Sequence, residues 1–387
     1  MRYASTLVAS CLTHFFGLPR PRGGEDWGIR ARISRAILTV LLLAGCEWRE
    51  ITQEKPDEPA GSAPASVSTS SAAGWLAVKV TTAPTLDGKG ADEAWSMAPA
   101  YVIPLQGYSG DRITMQAVYT DTHIFFLLSW ADYSHSIRQA GSWGRVHVGA
   151  QFGKASAEAL DRWERFGVED TLSLLWNIDS PDIRQADWSQ RAHFPDTQTT
   201  TGRVDRWFWA AGTTDPVHRL LDQYVDTQGL HTDSGTSFLV PNFTDQDNPA
   251  TPLNETAYPV YMPRVDLTQR KIPKLFVVKG EKPVLLYYQS EVESFDLATV
   301  DREATLPGHI FADTSSGSVT DVTVSSAHAT ETETWTLEIQ RQRTTSTPHE
   351  DVQFDEVGTP YAFVIGVFDN TDVDGSFSQL HTLTLAK

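Results

Sequence analysis

Cysteine is nearly absent: the 387 residues contain only Cys11 and Cys46. No Cys-x-x-Cys-His run exists, which excludes covalent c-type haem attachment together with cysteine-ligated zinc and iron–sulfur sites. Basic residues are also scarce, 31 Lys and Arg against 49 Asp and Glu, a net charge of −18. Residues 46–387 alone carry 25 basic and 47 acidic residues, a net of −22. Nucleic acid and anionic membrane both require a basic footprint, so neither is expected as a partner. No long apolar run is present. The stretch Ala36 to Leu43 is far shorter than the about 20 residues a membrane-spanning helix needs. A nucleophile elbow, a zinc-protease helix, a Walker loop and a dinucleotide fingerprint are all missing, and no spacing singles out a carboxylate pair, so no enzyme is read from this chain.

What is present begins with an export signal. Arg30, Arg32 and Arg35 precede the apolar core, and Leu43-Ala44-Gly45-Cys46 supplies the small residues that a signal peptidase requires. This end resembles a bacterial lipobox, which implies cleavage before Cys46 and acylation of its thiol. Residues 1–45 are thus expected to be a signal peptide. The mature protein is expected to be extracytoplasmic, in the periplasm or at the outer membrane, tethered by lipid alone. Residues 46–74, with Pro56, Pro59, Pro64 and the run Ser66-Val-Ser-Thr-Ser-Ser-Ala-Ala73, read as a flexible linker with little to bury.

One domain is expected over 75–387, and its class is all-β. Ala77–Val80 is a short strand, and Ala91–Trp95 is a single helical turn that presses Trp95 onto a sheet. Ile113, Met115, Ala117 and Tyr119 alternate with polar residues, Asp121-Thr122 turns, and Ile124–Trp130 returns, giving a hairpin. Ala159, Trp163 and Phe166 stand at i, i+4 and i+7, which predicts a helix over Ala155–Phe166. Residues 227–273 are rich in Asn, Asp, Pro and Thr and read as a long insertion. Six further strand candidates follow: Lys274–Val278, Val284–Tyr288, Val319–Ser326, Thr334–Gln340, Ala362–Phe368 and Leu380–Leu385. Many short strands separated by turn residues predict an antiparallel β-sandwich with long loop insertions and a short helix.

The chain is organised around Phe166–Asp226. Two Trp- and Leu-rich strand runs, Thr171–Ile178 and Val204–Ala211, are joined by a loop of about two dozen residues, a length that is usually functional or disordered. Glu169-Asp170, Leu175-Trp176-Asn177-Ile178, Val204-Asp205-x-Trp207-x-Trp209 and Asp222-Gln223-Tyr224 are similar to the haem-binding domain of the ethylbenzene dehydrogenase gamma subunit. That domain is shared with DMSO-reductase-type gamma subunits and cytochrome c-552-like proteins. The opening Pro84-x-Leu86-Asp87-Gly88 with Glu93-Ala94-Trp95 resembles family 9 carbohydrate-binding modules, whose sandwich the haem domain shares. The resemblance covers about residues 75–387. It implies non-covalent haem b, one-electron transfer, and a redox partner protein or molybdoenzyme subunits as partners.

Haem requires an axial donor in an apolar slot. The long loop offers His193, the leading candidate as cofactor and metal ligand, although a solvated loop histidine reads equally well. The family's paired cysteines are missing there, and Trp207-Phe208-Trp209 stands where the family has a central histidine. Met115 on its strand and Lys274 near Ile272-Pro273 are the candidates for the Met and Lys that ligate haem in the gamma subunits. Core packing and solvation are their ordinary roles. Met97, Met262 and Lys271 are further candidates of the same kind. Trp207 and Trp209 share a strand face and could stack on a porphyrin, stack on a sugar, or fill the sandwich, the last being the default. Asn370-x-Asp372-x-Asp374-Gly375 resembles half a calcium loop, but His381 stands where its final acidic ligand belongs, so a turn is expected. A haem-free carbohydrate- or ligand-binding lipoprotein remains the alternative, with a purely structural accessory subunit as a third possibility. Replacing Cys46 by Ser is expected to move the protein from the membrane pellet to the soluble fraction. A Cys46→Ser protein that still pellets after a detergent-free wash would refute the anchor.

Overall fold

The computed structural model describes residues 74–148, 160–180, 199, 201–244, 258–264, 275–277, 283–296, 300, 305–370 and 375–387. The leader, Cys46 and the linker lie outside the described residues. In chain order the main strands are β1 (Trp75–Lys79), β2 (Tyr101–Pro104), β3 (Arg112–Tyr119), β4 (His123–Ala131), β5 (Thr171–Asn177), β6 (Val204–Ala210), β7 (Leu221–Asp226), β8 (Gly229–Thr232), β9 (Thr323–Ala329), β10 (Thr334–Gln342), β11 (Pro360–Phe368) and β12 (His381–Leu385). Eleven of them follow one hydrogen-bonded path, β8-β7-β6-β5-β11-β12-β1-β3-β4-β10-β9, and β2 pairs with β3 beside it. Pairing along the path is antiparallel except at β1, which lies parallel to both β12 and β3. The expected β-sandwich is therefore present, with its one parallel strand at the centre of the path.

The sheet folds over on itself, and its aromatic residues show where. Phe126 on β4 meets Trp176 on β5 at 5.6 Å and Trp207 on β6 at 5.7 Å, ring centre to ring centre. Trp209 on β6 meets Trp130 on β4 at 5.8 Å and Trp335 on β10 at 4.9 Å. Strand side chains alternate between faces. Ile113, Met115 and Ala117 on β3, Leu172, Leu174 and Trp176 on β5, and Phe363, Ile365 and Val367 on β11 all point into this interior. Arg341 on β10 also points inward and meets Asp205 on β6, Nη1 to Oδ2, at 3.0 Å with both side chains fully buried.

Two expectations are corrected. Leu160–Phe166 is a strand, not the second half of a helix; it pairs with Ser142–Val148 over seven residues, Ser142 opposite Phe166 and Val148 opposite Leu160. Residues 155–159 lie outside the described residues. Seven positions of apolar pattern are too few to separate the two periods, and a backbone partner decided the outcome. The excursion between β8 and β9 is also longer than 227–273. Leu275–Val277 pairs with Pro283–Leu285, and further two-stranded pairings join Leu239–Pro241 to His309–Phe311 and Tyr261–Pro263 to Val292–Ser294. These strands stand apart from the main path.

The expected helical turn is α1 (Glu93–Ser96), which buries Trp95 against Val118, Phe125 and Leu127 on the outer face of β3 and β4. Its anchor is Glu338 on β10, which is fully buried. Oε1 accepts the Trp95 indole N–H at 2.9 Å, and Oε2 accepts the backbone N–H of Asp87 at 2.8 Å and of Gly88 at 2.6 Å. Gly88 has φ +76°, and a Cβ there would sit 2.6 Å from the Ser326 carbonyl, so only glycine fits this turn. The Asp87-Gly88…Trp95 pattern is thus three donors arranged around one carboxylate. Glu338→Ala strands all three, and a stability loss of about 3 kcal/mol or more is expected in denaturant unfolding. A loss below about 1 kcal/mol would show that the carboxylate does not anchor the turn.

Candidate functional site

The same alternation that sends Trp207 and Trp209 inward sends Arg206 and Phe208 to the opposite face of β6. There they form one wall of a cavity of about 530 Å³. Leu221 and Gln223 of β7 and Thr171 of β5 extend the wall, and Phe166, Phe368 and Leu239 close the sides. Arg206 is fixed in place: its Nε donates to Ser173 Oγ at 3.0 Å, its Nη1 donates to Gln223 Oε1, and its guanidinium lies 4.6 Å from the Phe208 ring centre. Arg165 contributes a second guanidinium, lying over the Phe243 ring at 4.5 Å.

Opposite these charges stands His309. It opens the short strand His309–Phe311, where it pairs with Pro241, and its backbone N–H donates to Gln139 Oε1 at 3.0 Å. Its Nδ1 is buried and has no hydrogen-bond partner among the described residues. Burial, with Arg165 adding to it, pushes the imidazole down to about 4, which favours the neutral ring at physiological pH. Met, Cys, Lys and Tyr are absent from the lining, so His309 is the cavity's one side chain able to act as a haem donor among the described residues.

The cavity floor depends on a buried carboxylate. Glu169 Oε1 accepts the Ala140 N–H at 2.7 Å and the Thr213 hydroxyl at 2.6 Å, and Oε2 accepts the Gly212 N–H at 2.7 Å. Burial raises the Glu169 pKa and these bonds oppose the rise. Gly167, at φ +100°, leaves room for the Gln139 carbonyl, which a Cβ would approach to 2.3 Å. Gly167-Val-Glu169 therefore joins the β5 entrance to the Gln139–Gly141 turn, and both segments line the site.

The residues singled out in the sequence are placed differently. Trp207 and Trp209 are fully buried in the interior, on the far face of β6 from the cavity. Met115 lies in the same interior core, also fully buried. Met262 packs with Trp143 and Leu306 in a smaller cluster, and Met97 is exposed. His193, Lys271 and Lys274 lie outside the described residues, as do residues 371–374 of the Asn370–Gly375 turn. Sequence reading missed Arg165, Arg206 and His309. An arginine directly before Trp207-Phe208-Trp209 on a period-two strand was a signal for Arg206. His309, in Leu306-Pro-Gly-His309, carried none.

Residues 74–378 match the family model described as ethylbenzene dehydrogenase. No curated protein matches the chain. Among solved structures the chain is similar to a candidate carbohydrate-binding protein from Bacteroides uniformis ATCC 8492 at 9% identity, covering 80% of this chain and 91% of that one. The TM-score of that likeness is 0.31. The family match spans the sandwich from β1 to β11, including β5 and β6 and all the residues that line the cavity, and the chain belongs to the ethylbenzene dehydrogenase family.

Proposed function

We propose that this protein is a haem-b-binding electron-transfer domain, an accessory rather than a catalytic subunit, which serves a redox partner such as a dehydrogenase or molybdoenzyme complex. Family membership supports the cofactor class. The observation that carries the reading is the neutral, unpartnered imidazole of His309 in a cavity of about 530 Å³. The residues present fit haem. His309 would hold the iron, Phe166, Phe208 and Phe368 would supply apolar walls, and Arg165 and Arg206 would supply positive charge for haem's carboxylates. When bound, haem would supply one-electron exchange. The protein's part is to keep the imidazole deprotonated, hold Arg206 rigid between Ser173 and Gln223, and exclude water with the aromatic walls.

His193 is retained as the candidate for a second donor, on the resemblance alone. Attachment to a membrane through lipid on Cys46 and an extracytoplasmic location belong to the same reading. Among the described residues no helix is long and apolar enough to cross a membrane. A net charge of −22 over residues 46–387 favours a basic face on the redox partner. The carbohydrate alternative rests on the resemblance to family 9 modules; Trp207 and Trp209, its candidate stacking platform, are both inside the core.

Protein produced with haem and purified is expected to show stoichiometric Soret absorbance and a sharp α-band on reduction. His309→Ala should abolish the α-band or shift it strongly while circular dichroism stays unchanged. An unaltered spectrum in His309→Ala, with the loss occurring instead in His193→Ala, would move the haem out of this cavity. Failure of the wild-type protein to take up haem at all would remove the haem reading.

A further inference from the structure

Inside the sandwich, at the edge where β6 and β7 face β9 and β10, five carboxylates surround one guanidinium. Asp205 comes from β6, Asp222 from β7, Asp233 from the residue after β8, Asp321 from the turn before β9, and Asp351 from the segment after β10. Asp205, Asp222 and Asp351 are fully buried. Part of this group is satisfied. Asp205 Oδ2 accepts from Arg341 Nη1 at 3.0 Å and from the Val352 N–H at 2.9 Å. Asp351 Oδ2 accepts the hydroxyls of Ser318 at 2.9 Å, Thr345 at 2.6 Å and Thr347.

The remaining oxygens are not satisfied. Asp205 Oδ1, Asp351 Oδ1 and both oxygens of Asp222 are buried and receive no N–H or hydroxyl donor. Asp351 Oδ1 has only an ionic contact with Arg341 Nη2, at 3.3 Å. Asp222 faces the carboxyl of Asp321 within hydrogen-bonding reach, a contact that raises the pKa of Asp222 and lowers that of Asp321, so only a proton or a cation between them can relieve the pair. A buried carboxylate with neither oxygen satisfied is strongly unfavourable, and one arginine cannot neutralise five acids. Ligand oxygens of Asp205, Asp222 and Asp351 lie within 4.8 Å of one another. Two oxygens bound to one calcium ion at about 2.4 Å stand at most about 5 Å apart, so each pair of these carboxylates is spaced as ligands of one ion can be.

We propose that Asp205, Asp222 and Asp351 bind a divalent cation of the calcium class, buried between the two halves of the folded sheet. The donors are all hard oxygens, and no sulfur or imidazole joins them, which suits calcium rather than a transition metal. The rival way to compensate the charge is protonation, since burial pushes Asp205 up to about 8 and Asp233 to about 9. The cation would tie β6 and β7 to the segment after β10. Arg206 on β6 and Leu221 and Gln223 on β7 wall the cavity, so the ion would stabilise the site without touching it. It does not depend on the haem reading.

The test uses the mature protein without haem, stripped with EDTA. Calcium is expected to raise its Tm by several degrees in a saturable way. Terbium should bind with one equivalent, show luminescence on tryptophan excitation (Trp207 stacks on Arg341 at 5.3 Å), and be displaced by calcium. Asp222→Asn should weaken calcium binding about tenfold or more, whereas Asp369→Asn, in a separate acidic group with Asp132 and Asp170, should not. Should Asp222→Asn not fold, terbium binding and metal content of the wild-type protein decide. A wild-type Tm indifferent to calcium and EDTA, with no terbium signal, would overturn the proposal in favour of protons. A calcium response abolished by Asp369→Asn and retained by Asp222→Asn would overturn it in favour of the other acidic group.

Discussion

The two-residue period of β6 is the constraint on which the rest depends. Val204-Asp-Arg-Trp-Phe-Trp-Ala210 is a strand between two others, β5 and β7, so each side chain is committed to one face or the other. Asp205, Trp207 and Trp209 go inward, and Arg206 and Phe208 go outward. A slip of one residue would bury Arg206 among tryptophans and expose two indoles. The large apolar area of Trp176, Trp207 and Trp209 fixes the register. Cavity and interior acidic group are thereby both placed by residues that belong to neither.

Polar groups in the interior fall into two kinds, and the contrast is informative. Glu338 and Glu169 are buried carboxylates surrounded by backbone amides, hydroxyls and an indole, and each joins a loop to the sheet. Their hydrogen bonds offset the desolvation that burial imposes. His309 Nδ1 is equally buried without a partner, and the oxygens of Asp222 receive no N–H or hydroxyl donor. Unpaired buried atoms also occur at Trp75, Trp176 and Trp207, so burial without a partner counts at His309 and in the acidic group only together with the cavity and the clustered charge beside them. An imidazole nitrogen suits a haem iron, and carboxylate oxygens suit a hard cation.

Much of the fold was legible because alternation and turns were local. The hairpin of β3 and β4, the two central strands, α1 and the late strands all follow from period-two patterns bounded by turn residues. Leu160–Phe166 was not legible, because its strand identity comes from Ser142–Val148 and not from its own pattern. Glu338 looked like an ordinary polar residue on a strand; its partners lie about 250 positions earlier in the chain. His309 is the extreme case. It reaches the cavity only through the small strand pairing with Leu239–Pro241, which no local pattern of Gly308-His309-Ile310 encodes.

The Trp-rich strand is therefore core, and the cavity lies on its other face. Substituting Trp207 or Trp209 would remove well over a hundred Å² of buried aromatic surface and cost about 3–5 kcal/mol, whatever the ligand. Substituting Arg206, Phe208 or His309 changes the cavity while leaving that packing intact. A chain built this way can vary residues on the outer face without disturbing its interior. The absence of family-type cysteines and of a histidine at Phe208 fits that division. Phe208 stacks with Arg206 on the outer wall, and the imidazole that faces the cavity arrives from a different segment, at His309.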